Sequence, residues 1–545
     1  MSTNISKQNR ENLINKIKEI RDFIVAVPQD ENTGNLLSYL SDLEKDVNGK
    51  KYGLVYEVHR EKIDEVLDTN IPVLSEEKDL FVDNGGKINF LIEGDNLASL
   101  RLLEKTHKGK IDLIYIDPPY NTLKEGFTYS DTLVDKNDTF RHSKWLSFMK
   151  QRMDIAHNLL CKNGVVFISL DDTEVATLRI LCDEIFGYQN FVANVVWEKK
   201  FSPQNDAKWL SDSHDHILVY AKNKEEWHPK LLNRTEEMDK RYSNPDNDPR
   251  GPWTSSDFTV KTASQAYIYP ITTPSGRIVM PTASRSWVTS EANYLELKKD
   301  NRIWFGKKGN NVPRIKTFLS EVQQGTVCKT IWYRTEVGDT QEGTRDLKNV
   351  FGKAGMFTNP KPIRLIERIL DIASSDDSIV LDFFAGSGTT GHAILKYNAE
   401  HENSKRSFIL CTNNENGICR DITYERIKRV IDRDNYAASL KYYKVGYVPI
   451  SDRLYYEYAD ELLQHIRELV ELENGISFTE NTKIAIVLTD EELTDFISKL
   501  ENNTKCFKLY LGHDILMDAQ QAQILRNMKI TVNVIPDYYY KELED

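Results

Sequence analysis

Residues 111–120 read Ile-Asp-Leu-Ile-Tyr-Ile-Asp-Pro-Pro-Tyr, an apolar run that breaks into the tetrapeptide Asp117-Pro118-Pro119-Tyr120. The run has the length and the side chains of a buried strand, and the prolines end it. Each proline holds φ at about −65° and confines the residue before it to extended backbone, so the turn is stiff before any ligand arrives. Asp117 and the carbonyl of Pro118 then face one point, where each can accept an N–H from a planar exocyclic amine, while Tyr120 offers the attached ring an aromatic face. An amine held by both hydrogens has its lone pair turned outward. Taken alone, the same turn is also a plain loop after a buried strand, and a second stretch separates the two possibilities.

Ser378 to Leu381 lead into Asp382-Phe383-Phe384-Ala385-Gly386-Ser387-Gly388-Thr389-Thr390-Gly391, which opens a helical run from His392 to Tyr397. Strand, glycine turn and helix in that order let a backbone approach a ligand closely, as in dinucleotide-binding turns. The glycine spacing is a weak signal by itself. Paired with the proline turn it is a strong one.

Together the two stretches resemble the amino-methyltransferases that modify DNA adenine at N6, in the beta-ordered group where Asp-Pro-Pro-Tyr precedes the S-adenosylmethionine turn. Order discriminates here. Protein-glutamine and ribosomal-RNA methyltransferases resemble the first turn but place the cofactor element first and need no long insertion, whereas about 260 residues separate the two stretches in this chain. The resemblance implies an α/β fold: a seven-stranded, Rossmann-like S-adenosylmethionine-dependent methyltransferase core with an inserted, irregular β-rich target-recognition domain, a helical N-terminal region and a small α/β C-terminal domain. It implies catalytic roles for Asp117, Pro118, Pro119 and Tyr120, and an aspartate rather than a serine at the head of the turn favours N6-adenine over N4-cytosine.

For the cofactor, the resemblance assigns the turn Asp382, Phe383, Phe384, Ala385, Gly386, Ser387, Gly388 and Thr389 to the methionine portion, with Asp382 taking its amino group. Asn359 and Lys361, in Phe357-Thr358-Asn359-Pro360-Lys361-Pro362, are expected to reach the methionine carboxylate. Asp95 matches the acid near the cofactor adenine, and Glu415 best fits the ribose-binding acid, although it stands beyond the expected strand tip.

Composition bounds the partners. A net charge of −12 argues naively against nucleic acid, because phosphate binding is driven by Lys and Arg. The average hides a split: residues 198–361 hold 26 basic against 20 acidic residues, or +6, and residues 451–545 hold 9 against 19, or −10. DNA is therefore expected at the middle, and the acidic tail is expected to pack on protein. The sequence shows neither an apolar stretch long enough to span a membrane nor a secretory leader, so a cytoplasmic location is expected. Six scattered cysteines without Cys-x-x-Cys spacing predict neither zinc nor disulfides. His214 and His216 share one strand face with no third ligand evident, so a structural role is expected and no metal.

Along the chain, Leu13, Ile17, Ile20 and Ile24, then Leu36, Leu37, Leu40 and Leu43, predict helices within a region placed at 1–80. The core is divided into a catalytic half, 81–224, and a cofactor half, 358–447. Strands are expected at 88–92, 111–116, 165–170, 193–197, 217–220, 379–382 and 408–412, the fourth and fifth forming an antiparallel hairpin at one sheet edge. Between 225 and 357 periodicity fades into turns interleaved with Trp and basic residues, which resembles the recognition region of type III modification subunits. Candidate DNA contacts are Asn121, Tyr129, Lys199, Lys200, Arg250, Trp253, Arg285, Arg302, Lys307, Lys308 and Arg314. Residues 448–545 predict a small βαβαβ assembly domain.

The activity so implied is sequence-specific transfer of a methyl group from S-adenosylmethionine to N6 of a flipped adenine in double-stranded DNA. The partners implied are a second copy of the chain and a restriction (helicase-nuclease) subunit. Alternatives are a solitary adenine or N4-cytosine DNA methyltransferase and a protein or RNA amino-methyltransferase.

Overall fold

The structure, a computed structural model, describes residues 5–26, 31–48, 56–122, 140–205, 207–261, 264–322, 324–450, 453–478, 481–500 and 505–541. Its centre is one sheet built from Asn70–Glu76 (β1), Lys87–Glu93 (β2), Ile111–Ile116 (β3), Leu160–Leu170 (β4), Phe191–Glu198 (β5), His214–Ala221 (β6), Ile331–Trp332 (β7), Ile379–Asp382 (β8), Ser407–Thr412 (β9) and Ala438–Pro449 (β10). The strands lie in the order β1-β10-β2-β9-β8-β3-β4-β6-β5-β7. From β10 to β4 all neighbours run parallel, whereas β6 is antiparallel to both β4 and β5.

All seven expected strands are present, and the β5–β6 hairpin is reversed as expected. Among the described residues the sheet nevertheless has ten strands, and each addition had a reason to escape notice. β1 carries Pro72, which is tolerated because the strand lies at the sheet's edge. β10 interrupts its apolar pattern with Lys441, a buried lysine neutralised by Glu471 and Glu76. β7 is two residues long, and by pairing with β5 it moves the hairpin inward from the edge.

Two apolar layers cover the sheet. On one face Leu97, Leu100 and Leu103 of helix Asn96–His107 meet Trp145, Phe148 and Met153 of helix Arg141–Leu159. On the other, Leu365, Ile366 and Ile369 of helix Ile363–Ala373 pack with Ile394 of helix Thr389–Glu400 and Ile427 of helix Glu425–Asp434. The helices Ile5–Ala26 and Glu31–Asn48 form a separate pair around Ile17, Ile24 and Leu40.

Between β6 and β7 the chain makes short strands, Trp253–Asp257, Ile303–Trp304 and Arg314–Phe318, in one antiparallel sheet, with two further two-stranded ribbons. Their core is Phe258, Trp287, Tyr294 and Phe305. The C-terminal strands Ile484–Val487, Lys508–Gly512 and Thr531–Ile535 are parallel and separated by helices Asp490–Leu500 and Ala519–Asn527. This unit is bound to the central sheet through Glu473, which accepts hydrogen bonds from Lys110, Tyr510 and Tyr539. Among the described residues, no helix is long and apolar enough to cross a membrane.

Candidate active site

In a parallel sheet, ligands gather at the carboxyl ends of the strands, where helix N-termini and loops converge. Here β2, β9, β8 and β3 are consecutive neighbours. Their C-terminal ends carry, in that order, Asp95, Glu415, the turn 382–388 and Asp117. Four segments remote in the chain thus meet along one edge.

Lys361 ties the two decisive turns together. Its ammonium donates to Asp117 Oδ2 at 2.6 Å and to the Tyr120 hydroxyl at 3.0 Å, while its carbonyl accepts from the Thr389 hydroxyl at 3.2 Å. Tyr120 in turn donates to Asp117 Oδ1 at 2.9 Å and lies 3.4 Å from Asp215 Oδ2. Asp215 holds Lys199 at 2.6 Å. Trp145 donates its indole N–H to the Pro119 carbonyl at 2.7 Å, which pins the proline turn to helix Arg141–Leu159.

Burial shapes the charges. Asp382 is buried, and desolvation pushes its carboxyl up to about 7, although Thr390 and the Phe384 amide donate to it. Tyr120 is held well above the usual phenol range, first by burial and then by the charges of Asp117 and Asp215. Asp215 is raised by burial against the pull of Lys361 and Lys199. Burial works against the Lys199 ammonium, but Asp215 and Asp212 keep it above the ordinary lysine value.

The glycine turn leaves room at the sheet edge. Gly386 and Gly388 both have positive φ, and a Cβ on Gly386 would come within 3.2 Å of the Phe357 ring. Thr423 donates to the Gly386 carbonyl at 2.6 Å. Asp95 caps helix Asn96–His107 by accepting from the Leu97 amide. The buried Arg152 lies 3.7 Å from Asp95 and binds Glu61 and Asn96. Glu415 is half-buried just beyond β9. A cradle of glycines flanked by three carboxylates suits a cationic, hydroxyl-bearing ligand such as S-adenosylmethionine, and in that respect the residues present fit the group. Asn359 is exposed with φ 52°, and Lys361, expected at the methionine carboxylate, has its ammonium on Asp117.

The expected DNA contacts separate into groups. Lys307 and Lys308 are exposed on the recognition region, and Lys200 and Arg285 are half-buried. Arg250, Arg302 and Arg314 already pair with carboxylates, Arg250 with Asp248 and Asp300, Arg302 with Asp300 and Glu321, Arg314 with Asp257. Three expectations are corrected. Trp253 is buried under Lys316 with its N–H on Asp246, so it serves the core and offers no face to a base. Lys199 belongs to the carboxylate chain above. Asn121, in left-handed backbone, is buried and donates to Glu174. Tyr129 lies outside the described residues.

His214 and His216 do have a third group nearby, contrary to expectation: Asp172 lies 2.9 Å from His216 Nε2, and the three ligand atoms fall within 4.8 Å of one another. Sequence reading also missed Asp215, Trp145 and Arg152. A charged residue on a strand or helix otherwise rich in apolar side chains was the available signal for Asp215 and Arg152.

The chain matches the DNA methylase family over residues 111–425. It is 36% identical over 360 residues to the StyLTI Mod subunit of a type III restriction-modification enzyme from Salmonella typhimurium, covering 62% of this chain and 54% of that one. To the EcoPI Mod subunit of Escherichia phage P1 it is 33% identical over 388 residues, 61% of this chain and 58% of the other. It thus spans little more than half the length of these type III relatives. The type II methyltransferase M.KpnI of Klebsiella pneumoniae is 30% identical over 346 residues, 59% of this chain and 79% of that protein.

Proposed function

The chain belongs to the DNA methylase family, and from that premise we propose that it transfers a methyl group from S-adenosylmethionine to N6 of an adenine turned out of duplex DNA. The observation that carries the proposal is Lys361, whose two ends join the proline turn to the glycine turn. When bound, S-adenosylmethionine supplies a methyl group activated by a sulfonium. The rest is alignment by this chain's residues.

Adenine's amine is a poor nucleophile because its lone pair is conjugated with the ring. Asp117 and the Pro118 carbonyl accept its two hydrogens and turn that pair outward. Asp117 keeps capacity for this, because each carboxylate oxygen has two acceptor positions and its protein partners use one apiece. Tyr120 stacks on the base and offsets part of the cost of flipping, a few kcal/mol. Holding the amine in line with the methyl group recovers on the order of 7–11 kcal/mol of barrier.

The type III relatives support a role as a modification subunit that lends recognition to a restriction (helicase-nuclease) partner; a cytoplasmic location and a dimeric state are part of the same proposal. The M.KpnI match, which covers more of its relative, favours a second reading as a solitary DNA methyltransferase. Purified chain incubated with tritiated cofactor and, in parallel, duplex DNA, RNA or protein tests the substrate class: label is expected in DNA, and label in RNA or protein alone overturns the proposal. Asp117→Ala is expected to bind cofactor nearly as the parent does and to transfer nothing; parent-like turnover would remove Asp117 from the mechanism.

A further inference from the structure

Two carboxylates compete for one hydrogen in this site. The Tyr120 hydroxyl has a single proton, and Asp117 Oδ1 stands 2.9 Å from it while Asp215 Oδ2 stands 3.4 Å away on the other side. The hydroxyl oxygen itself is occupied as an acceptor by Lys361 at 3.0 Å. The proton goes to Asp117 Oδ1, where it fills one of the two acceptor positions and draws off charge that would otherwise strengthen that oxygen's bond to a target amine.

We propose that Asp215 is a positioning residue, the alternative acceptor to which the Tyr120 hydroxyl turns when an amine enters, leaving Asp117 Oδ1 free to receive the amine's hydrogen. This rests on the methyltransferase function proposed above. Asp215 is built for the task. It lies on β6 with only 5% of its side chain exposed, and Lys199 grips its other oxygen, Oδ1, at 2.6 Å. Lys199 is anchored from behind by Asp212 at 2.9 Å, so the Asp215 carboxylate cannot rotate without breaking an ion pair. Its free oxygen therefore stays aimed at Tyr120. His214 and His216, one residue to either side, project from the opposite face of the strand.

Asp215→Asn makes the test selective. The asparagine oxygen goes to Lys199, which only donates, and its amide nitrogen, which cannot accept, faces Tyr120. With nowhere else to turn, the hydroxyl stays on Asp117. Single-turnover transfer from tritiated S-adenosylmethionine to genomic DNA of a host lacking adenine methylation is expected to slow about tenfold, the loss of one hydrogen bond to a charged group. Cofactor affinity measured without DNA should not change.

The discriminating measurement is the same substitution in a Tyr120→Phe background, where no hydroxyl remains to be redirected. There Asp215→Asn is expected to slow transfer by less than about twofold further. Full additivity of the two losses, or a parent-like rate for Asp215→Asn alone, overturns the proposal while leaving the methyltransferase function standing. A parent chain that labels no DNA overturns both.

Discussion

Gly343 contributes no side chain to the candidate site, yet its replacement by alanine should slow methyl transfer. It is buried on helix Thr340–Phe351, and a Cβ there would lie 2.1 Å from the Pro360 carbonyl oxygen and 2.9 Å from the Lys361 carbonyl carbon. Comfortable contacts between heavy atoms lie near 3.5 Å, so the backbone at the Pro360 carbonyl must retreat by about 1.4 Å. Lys361 is the residue that spans the two turns, its ammonium 2.6 Å from Asp117. Helix propensity alone would favour alanine over glycine by about 1 kcal/mol. Overpacking against backbone, which cannot rotate aside, costs about 1–3 kcal/mol and decides the sign. Displacement by 1 Å of a group that orders a reacting centre can cost on the order of 100-fold in rate. We expect Gly343→Ala to lower the single-turnover rate by about 10- to 100-fold and the thermal midpoint by no more than about 4 °C. Tritium transfer to DNA and circular dichroism measure the two. A variant with the parent's transfer rate would show that the seat does not depend on where residues 360 and 361 stand.

Lys307 and Lys308 are two exposed cations of the recognition region; replacing both with alanine should lower the slope of log affinity against log salt for duplex DNA by about two, and an unchanged slope would remove them from the interface. Asp382 is held at about 7 by burial, so its carboxylate forms, and attracts a cofactor ammonium, only as pH rises through that value; affinity measured calorimetrically should tighten with pH, and Asp382→Asn should abolish the trend. At Glu473 burial pushes the carboxyl upward, but hydrogen bonds from Tyr539 and Tyr510 and the charge of Lys110 outweigh it and bring the group down to about 2. A depressed carboxyl contributes its stability above its unfolded value and loses it as pH falls towards the folded one. Glu473→Gln should therefore flatten the acid limb of a stability–pH profile below about pH 4, and an unaltered limb would refute the assignment.

Much of this was legible before the chain was folded, because the informative stretches are those where backbone chemistry is least free. Two prolines and a cluster of glycines announce turns whose geometry depends on few neighbours. The pairing of distant partners was not legible in the same way. Lys361 stands in a segment expected to face the cofactor, and only the fold brings it against Asp117, 244 residues away in the chain. Asp215 and Lys199 read as a strand polar residue and a surface cation until the sheet sets β6 beside β4 and Tyr120 reaches across. Trp253 proved buried, and Arg302 is found paired with Asp300 and Glu321, for a related reason: an aromatic or cationic residue in a turn-rich region has the same local signature whether it seeks a phosphate or a neighbouring carboxylate. β10 shows the opposite failure, since its buried Lys441 disguised a twelve-residue strand whose lysine is neutralised by glutamates far upstream and downstream.

The order of the segments has a mechanical consequence. The proline turn is complete by Tyr120, but its counter-ion Lys361 arrives only after the chain has left the sheet at β6, built the β-rich insertion, and returned through β7. β7 pairs with β5, and the Arg334 amide donates to Glu198 at the end of that strand, so the returning chain is registered against the hairpin that also carries Lys199. From there helix Thr340–Phe351 passes against Pro360 and Lys361 with no space for a single methyl group at Gly343. Neither half of the chain can assemble the seat alone. The packing at Gly343 leaves the 360–361 backbone little slack on that side. That is why a glycine remote from any ligand is expected to matter more for rate than for stability.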